Sequence, residues 1–506
     1  MKDRIMFWLD SDITTFALAT FLSERYDCDM YSIIEIPDKL KNFFKTQNIV
    51  NFQKSWYYFE HINPEKNIDV EYLSSIEKKY GLNLWLLALN ERLFYKYNLY
   101  YKFSSNEILS ILEKECKLYE KILDDIQPNF LIIKTTDLHQ NHLFYEICKA
   151  KGISILMLDQ SRFGYRCIVS QERDKIDYLT NLDNILSQNR NIEELQDFLK
   201  SKSLSEQLQT YKTKFISSKK DKIKASFNYF FLSKNTNLKT HYTYYGRKKF
   251  KVFFIQLYYS IIEKYREKFI NQNLVKEINK NENFIYFPLH QEPERVLLVG
   301  SPFFTNQIET VRHIAKSIPV DHKLYVKEHP TQSIRGWREI SFYKQILCIP
   351  NVVFLHPDIS SEEILKKCSL TITVGGTTGI ESLFYEKPSI IFSDMSYGIL
   401  SSVEKITSIS QLPHLIRTSL QKKVDLGELD KFVTVVEQNS IDFDYTGFLL
   451  DYTNRFYYGG FFSDVDISVE DMKLFLDENR VKFNILIDEY IKKIHQHKNA
   501  LNSHDT

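Results

Sequence analysis

Residues 323–394 commit the chain to one kind of fold. Leu324-Tyr325-Val326 is a short apolar run that ends on Lys327, Glu328, His329 and Pro330. Leu370 to Val374 is a second β-rich run. It stops at Gly375-Gly376-Thr377-Thr378-Gly379, and helical spacing follows through Tyr385. Lys387-Pro388 ends that helix and Ser389 to Phe392 begins a third strand. Strand, glycine turn, helix, strand is a βαβ unit, so the fold class is α/β and the loop lies at the carboxyl end of a parallel sheet.

Such a loop suits a phosphate. Glycines allow a tight turn and a close backbone approach. The helix that follows presents unpaired N–H groups and a partial positive charge. Thr377 and Thr378 add hydroxyl donors, and Glu381, about one turn into the helix, suits a ribose diol. The same glycine-threonine pattern also serves as a capped turn with no ligand, since short glycine motifs are weak signals alone.

Residues 284–307 read FIYFPLHQEPERVLLVGSPFFTNQ; LYVKEHP and then GGTTGIESLFYEKPSIIF follow. These three ordered motifs resemble the nucleotide-binding half of bacterial capsule and surface-polysaccharide glycosyltransferases, including capsular 3-deoxy-manno-octulosonic acid transferases. The resemblance covers residues 281–395 well and 125–170 loosely. It implies a GT-B-like fold: two Rossmann-type domains facing a cleft, here with a helical basic-aromatic insertion. It also implies that His329, the His-Pro histidine, lies near the donor phosphate. His290, Glu294, Gln307, Lys327, Glu328, Gly375, Gly376, Thr377, Thr378, Gly379 and Glu381 are then the expected donor and nucleotide-binding residues. Lys327 pairing with Glu328 is the plain alternative for that pair.

Composition agrees with a globular protein. The chain has 506 residues, 43% hydrophobic and 26% charged, enough for two or three domains. Its net charge of +1 gives no global field for nucleic acid. The six cysteines lack CxxC spacing and read as free thiols, neither a disulfide frame nor a zinc site. The N-terminal MKDRIMFWLDSD lacks a signal-peptide core, and no apolar run approaches the roughly 20 residues of a membrane span. The expected location is cytoplasmic, peripheral to the inner face of the cell membrane.

The first half also reads as α/β. Ile5 to Leu9 is a strand, followed by Asp10-Ser11-Asp12 and a helix from Thr14; no GxGxxG accompanies it. The Asp10-Ser11-Asp12 run has DxD form but lies outside the sugar-binding half and is read as coincidence. Residues 40–125 read as a helical layer. Phe130 to Lys134 and Ile153 to Leu158 are strands. Asp137 and His139 follow the first, Asp159 and Arg162 the second, at carboxyl ends where ligands gather. Asp137, with Asp159 behind it, is the expected general base; Arg162 and His139 are the expected acceptor contacts. A helix N-cap for Asp137, an ion pair for Asp159 or Arg162, and a loop position for His139 are the structural alternatives.

Between Lys212 and Lys268 stand 15 Lys or Arg and only three acids, interleaved with Phe and Tyr. Basic charge with aromatic edges suits an anionic membrane surface; a solvated helical insertion is the other reading. A capping box at Ser468 starts a long helix that, by the resemblance, crosses back to the first domain. The expected domains are 1–175 (acceptor), 176–280 (insertion and linker), 281–440 (nucleotide sugar) and 441–506. The expected activity is transfer of a sugar from a CMP- or UDP-activated donor to a surface or capsular polysaccharide or lipid-linked glycan. It requires no cofactor and no metal. An epimerase or hydrolase acting on nucleotide sugars, a CDP-alcohol glycerophosphotransferase and a non-catalytic scaffold remain the alternatives.

Overall fold

The computed structural model describes residues 2–65, 67–164, 166–201, 224, 226–232, 241–279, 281–457 and 464–504. Much of the basic insertion's first part and the motif at 458–460 lie outside the described residues. The chain forms two compact units: Met1–Asp177 with Ser203–Val252 and Asn439–Thr506, and Tyr178–Lys202 with Phe253–Gln438. The expected insertion is thus divided between the units, and the C-terminal residues return to the first.

The first unit holds β1 (Asp3–Leu9), β2 (Cys28–Ile34), β3 (Lys54–Tyr57), β4 (Phe130–Lys134), β5 (Ser154–Gln160) and β6 (Cys167–Ser170). The sheet order is β6-β5-β4-β1-β2-β3, with a short strand, Ser440–Ile441, beyond β6. β1 to β5 are parallel, whereas β6 and the short strand pair antiparallel. β1 shows why the sheet is buried on both faces. Ile5, Phe7 and Leu9 enter one core, while Met6 and Trp8 enter the other. The C-terminal helix Val469–His504 covers the first core with Phe483, Leu486, Ile487, Tyr490 and Ile494. The helix Ser105–Ile126, started by a capping box at Ser104, covers the second. β3 falls inside the segment expected to be helical; four residues are too short a run for periodicity to reveal.

The second unit holds β7 (Phe284–Pro288), β8 (Lys323–Lys327), β9 (Val352–Leu355), β10 (Leu370–Thr373), β11 (Ser389–Ile391) and β12 (Val403–Lys405). All six are parallel, in the order β12-β11-β10-β7-β8-β9. Counted from β7 this is 3-2-1-4-5-6, the order of nucleotide-binding doubly wound sheets. In β7, Ile285 and Phe287 face one core and Phe284 and Tyr286 the other. Both units are Rossmann-like. Each sheet reverses its direction of growth at its first strand, between β1 and β4 and between β7 and β10.

His139, expected to meet an acceptor, is instead a buried strut of the first unit. It is 2% exposed. Nδ1 lies 2.9 Å from Glu91 and Nε2 3.0 Å from Glu115. Tyr58 hydrogen-bonds both Glu115 and Tyr242, whose hydroxyl is 3.4 Å from His139 Nε2. Neither ring nitrogen is left for an acceptor. Burial alone would lower the imidazole pKa, but Glu115 and Glu91 raise it to about 10. The ring is therefore an imidazolium clamped between two carboxylates.

His139→Ala leaves both carboxylates buried without their cation and should cost about 3–5 kcal/mol of unfolding free energy. The folded pKa lies above the unfolded one of about 6.5, so the contribution is complete below that pH and fades as pH rises towards 10. Melting curves of wild type and His139→Gln should converge over this window.

Candidate functional site

The reversal point of the second sheet brings together the loops after β7, β8 and β10. Their shape depends on buried polar groups. Glu328, directly after β8, is 0% exposed. Its carboxylate accepts from Arg338 Nε at 2.9 Å and Nη2 at 3.2 Å, from Tyr343 OH at 2.9 Å and from the His329 amide at 2.7 Å. Arg338 also donates to the His290 carbonyl at 2.5 Å and pairs with Glu292 at 2.9 Å. Gln307 is 1% exposed; its amide accepts from His290 N and donates to His290 O and to Glu292. Gln291 donates to Thr331, and Gln332 exchanges bonds with the Glu292 backbone.

These contacts correct two expectations. Glu328 and Gln307 do not face a nucleotide, because their polar atoms are taken up in holding the loops. Glu328 pairs with Arg338 and not with Lys327. Lys327 is buried at 3% exposure and donates to Ser361 Oγ at 2.9 Å.

His329 is half-buried at the head of the β8 loop. Its Nδ1 accepts from the Thr331 amide at 3.2 Å and lies 2.9 Å from Thr331 Oγ1. An Nδ1 that accepts leaves the ring proton on Nε2, so this nitrogen is a donor. His290, after β7, holds Nε2 3.4 Å from both the Gly375 amide and Thr373 Oγ1, joining the β7 and β10 loops. Glu294 comes within 4.0 Å of His290 Nδ1.

The glycines owe their identity to packing. None of Gly375, Gly376 and Gly379 has a left-handed φ. A Cβ at Gly375 would overlap Ser393 Oγ, and one at Gly379 would lie 2.6 Å from Tyr397 OH. Tyr397 OH donates to the Gly376 carbonyl at 2.6 Å. The helix after the loop is also shorter than expected: four α-helical residues, Thr378–Glu381, continue as a 3-10 turn, Ser382–Tyr385. A four-residue helix contributes little dipole. The individual donors matter more. Thr377 and Thr378 are half-buried, and among the described residues neither their amides nor their hydroxyls have a hydrogen-bond partner. Four donors thus face the sheet's reversal point without a partner among the described residues, with half-buried Glu381 on the same short helix.

The first sheet has its own cluster at the β1/β4 reversal. Lys134, at the end of β4, lies 2.7 Å from Asp10 and also contacts Asp12. Asp12 accepts from the Thr14 amide at 2.9 Å and from Tyr445 OH at 2.8 Å. Asp10 accepts from the Asp12 amide at 3.1 Å. Two carboxylates share one ammonium, and the environment separates them. Burial, then the neighbouring Asp12, raise Asp10 to about 7, Lys134 counteracting. Burial opposes ionisation of Asp12 too, but Lys134 and the two donors hold it below the usual range. Glu35, just past β2, accepts from Trp8 Nε1 and Gln140; burial, then Asp10, raise it to about 8. The DxD form, read as coincidence, is the one sequence signal for this cluster.

The other expected residues of this half are elsewhere engaged. Asp159, 8% exposed, accepts from Thr135 Oγ1 and from the Gln160 and Asp174 amides. That set braces a turn and leaves no role as a base. Arg162 is ion-paired with Asp174 and so is not an open acceptor contact. Asp137, on the β4 loop, bonds the Asn141 amide group at 3.3 Å and lies 3.7 Å from Arg92.

Residues 181–402 match the family described as capsule polysaccharide biosynthesis proteins. The match covers less than half of the chain. The match bears out the resemblance read from the three motifs. No curated protein matches the chain. Among solved structures, one similar chain is UDP-GlcNAc 2-epimerase from Methanocaldococcus jannaschii, at 12% identity and TM-score 0.24 over 86% of this chain and 99% of that one. Another is Thermosulfurimonas dismutans KpsC, beta Kdo 2,7 transferase, at 11% identity and TM-score 0.30 over 70% and 90%. The beta Kdo 2,4 transferase of the same KpsC gives 11% and 0.32 over 60% and 79%. Likenesses this distant carry no function across.

Gly375→Ala should cost about 1–3 kcal/mol, the usual penalty for overpacking. Ser393→Ala in the same chain should recover part of that loss, because Ser393 Oγ is the first atom struck. Urea unfolding of the single and double variants measures both.

Proposed function

We propose that the chain is a glycosyltransferase of capsule or surface-polysaccharide synthesis. Its donor is a nucleotide-activated sugar and its acceptor a growing or lipid-linked glycan at a membrane surface. The observation that carries the reading is the set of donors on Thr377 and Thr378, without partners among the described residues, at the reversal point of a 3-2-1-4-5-6 sheet, in a stretch that matches capsule-biosynthesis sequence. Transfer breaks the bond between anomeric carbon and phosphate oxygen, and the departing phosphate gains charge. The Thr377 and Thr378 donors and His329 Nε2–H meet that charge; removing one such group commonly costs on the order of a hundredfold or more in rate. Glu381 and Glu294 hold the nucleoside. No metal is assigned to this step, so transfer should persist in EDTA. The resemblance favours a CMP-activated acidic sugar, with UDP sugars as the alternative.

The acceptor hydroxyl must lose a proton as its oxygen bonds the anomeric carbon. We assign that proton to Asp10 in preference to Asp137 or Asp159. A base works best with a pKa near the operating pH, and Asp10 stands at about 7. Asp12 and Lys134 set that value.

In a thermal-shift panel of CMP, UDP, GDP and dTDP, one nucleotide should stabilise the wild type, by about 2.7 kcal/mol at a hundredfold excess over its Kd, and His329→Ala less. No shift with any nucleotide would exclude the transferase reading.

Asp10→Asn should keep the nucleotide shift and lose about 10²–10⁴-fold in transfer. The acid limb of the wild-type rate profile should fall near pH 7. Asp12→Asn removes a neighbouring negative charge and should move the limb down. Lys134→Gln removes the cation and should move it up. Limbs that do not move would exclude Asp10 as the base.

A further inference from the structure

The 25-residue helix Lys249–Asn273 carries its largest apolar side chains on the outside. Phe250, Phe254, Leu257, Tyr258, Ile261 and Tyr265 stand at i, i+4, i+7, i+8, i+11 and i+15, which is one face of a helix. They are 49% to 75% exposed. The stripe is about 22 Å long at 1.5 Å per residue. From Phe253 onward the helix belongs to the second unit, which holds it from its other side. Arg266 donates to the Trp337 carbonyl at 2.7 Å, Glu263 accepts from the Trp337 amide at 2.6 Å, and Ile270 and Leu274 enter the core. These contacts fix which face is outward.

The exposed charge along the helix is mostly basic. Lys264 and Lys268 are exposed and continue the line of the stripe at i+14 and i+18. Lys248, just before the helix, is exposed too, and Lys251 is exposed but donates to the Tyr100 carbonyl at 2.7 Å. Of the helix's two acids, Glu263 is drawn towards Trp337, and Glu267 is exposed. Among the described residues no helix is long and apolar enough to cross a membrane. A helix with an exposed aromatic-aliphatic face and a rim of lysines has the chemistry of one lying in a lipid headgroup interface.

We propose that this helix is the chain's membrane-docking surface: its stripe enters the headgroup region of an anionic bilayer, and Lys264 and Lys268, on the line of the stripe, meet lipid phosphates. A polybasic rim is attracted by an anionic leaflet and screened by salt. Aromatic side chains favour the interface, because their rings are apolar and the Tyr hydroxyls stay hydrated. The assignment goes beyond the transferase reading and does not need it. The nucleotide-shift panel reports on the second unit's loops and flotation reports on this helix, so either can fail alone.

Flotation of the full chain tests it, with vesicles of phosphatidylcholine alone and of phosphatidylcholine mixed with phosphatidylglycerol. Wild type should float with the mixture and not with phosphatidylcholine alone, and rising salt should release it. A variant carrying Phe254→Ser, Tyr258→Ser and Ile261→Ser should lose about tenfold or more of the bound fraction, since each buried apolar side chain contributes to insertion. All three positions are exposed, so its melting temperature should stay at the wild-type value. Lys264→Glu with Lys268→Glu should abolish the preference for the anionic mixture. Equal recovery with both vesicle types, or a serine variant that floats like wild type, would overturn the proposal. So would an absence of flotation together with a dimer of wild type that the serine variant breaks, which would make this face a contact between copies of the chain.

Discussion

Arg338 holds the second unit's loops in place. Its guanidinium grips Glu328 through two nitrogens, pairs with Glu292 and donates to the His290 carbonyl. Both Glu328 and Arg338 are buried. A buried ion pair gains little over an apolar pair, but breaking one is expensive, about 3–5 kcal/mol. Here it fixes geometry. Glu328 also accepts from the His329 amide, which sets where the histidine stands. Through Glu292 and Gln307 the same network reaches the β7 loop, and through His290 it reaches the glycines after β10. His329 and the glycine-threonine loop are thus positioned by buried residues that hold one another.

The two sheets solve opposite electrostatic problems at equivalent points. At the β7/β10 reversal the loops present N–H and O–H donors, an environment for negative charge. At the β1/β4 reversal two aspartates share one lysine, so the cluster can take up a proton near neutral pH. Each site is built in the same way: a parallel strand ends, its backbone amides are no longer paired, and the next residues are polar.

Much of the second unit could be read from the sequence because its signals are local. Strands β7, β8 and β10 are short apolar runs bounded by Pro or Gly, and the His-Pro and glycine-threonine motifs sit directly after them. The roles within the motifs were less legible. Glu328 and Gln307 look like ligand contacts until their partners are known, and Arg338, ten residues beyond Glu328, has no pattern around it. In the first unit, His139 and Asp159 follow strands, as functional residues do, yet both are taken up by groups distant in sequence: Glu91 and Glu115 for one, Asp174 for the other. Asp10 and Asp12 gain their meaning from Lys134 and Tyr445, 122 and 433 residues away from Asp12. β3 and β12 escape notice because runs of four and three residues carry no usable period.

The most direct test of the central claim is a crystal structure of the chain with the nucleotide that binds it. The account predicts nucleotide phosphate oxygens at hydrogen-bond distance from the Thr377 and Thr378 amides and from His329 Nε2, with the nucleoside near Glu381 or Glu294. A nucleotide seated against the Asp10–Lys134 cluster, or one whose phosphates leave the Thr377 and Thr378 donors untouched, would contradict it.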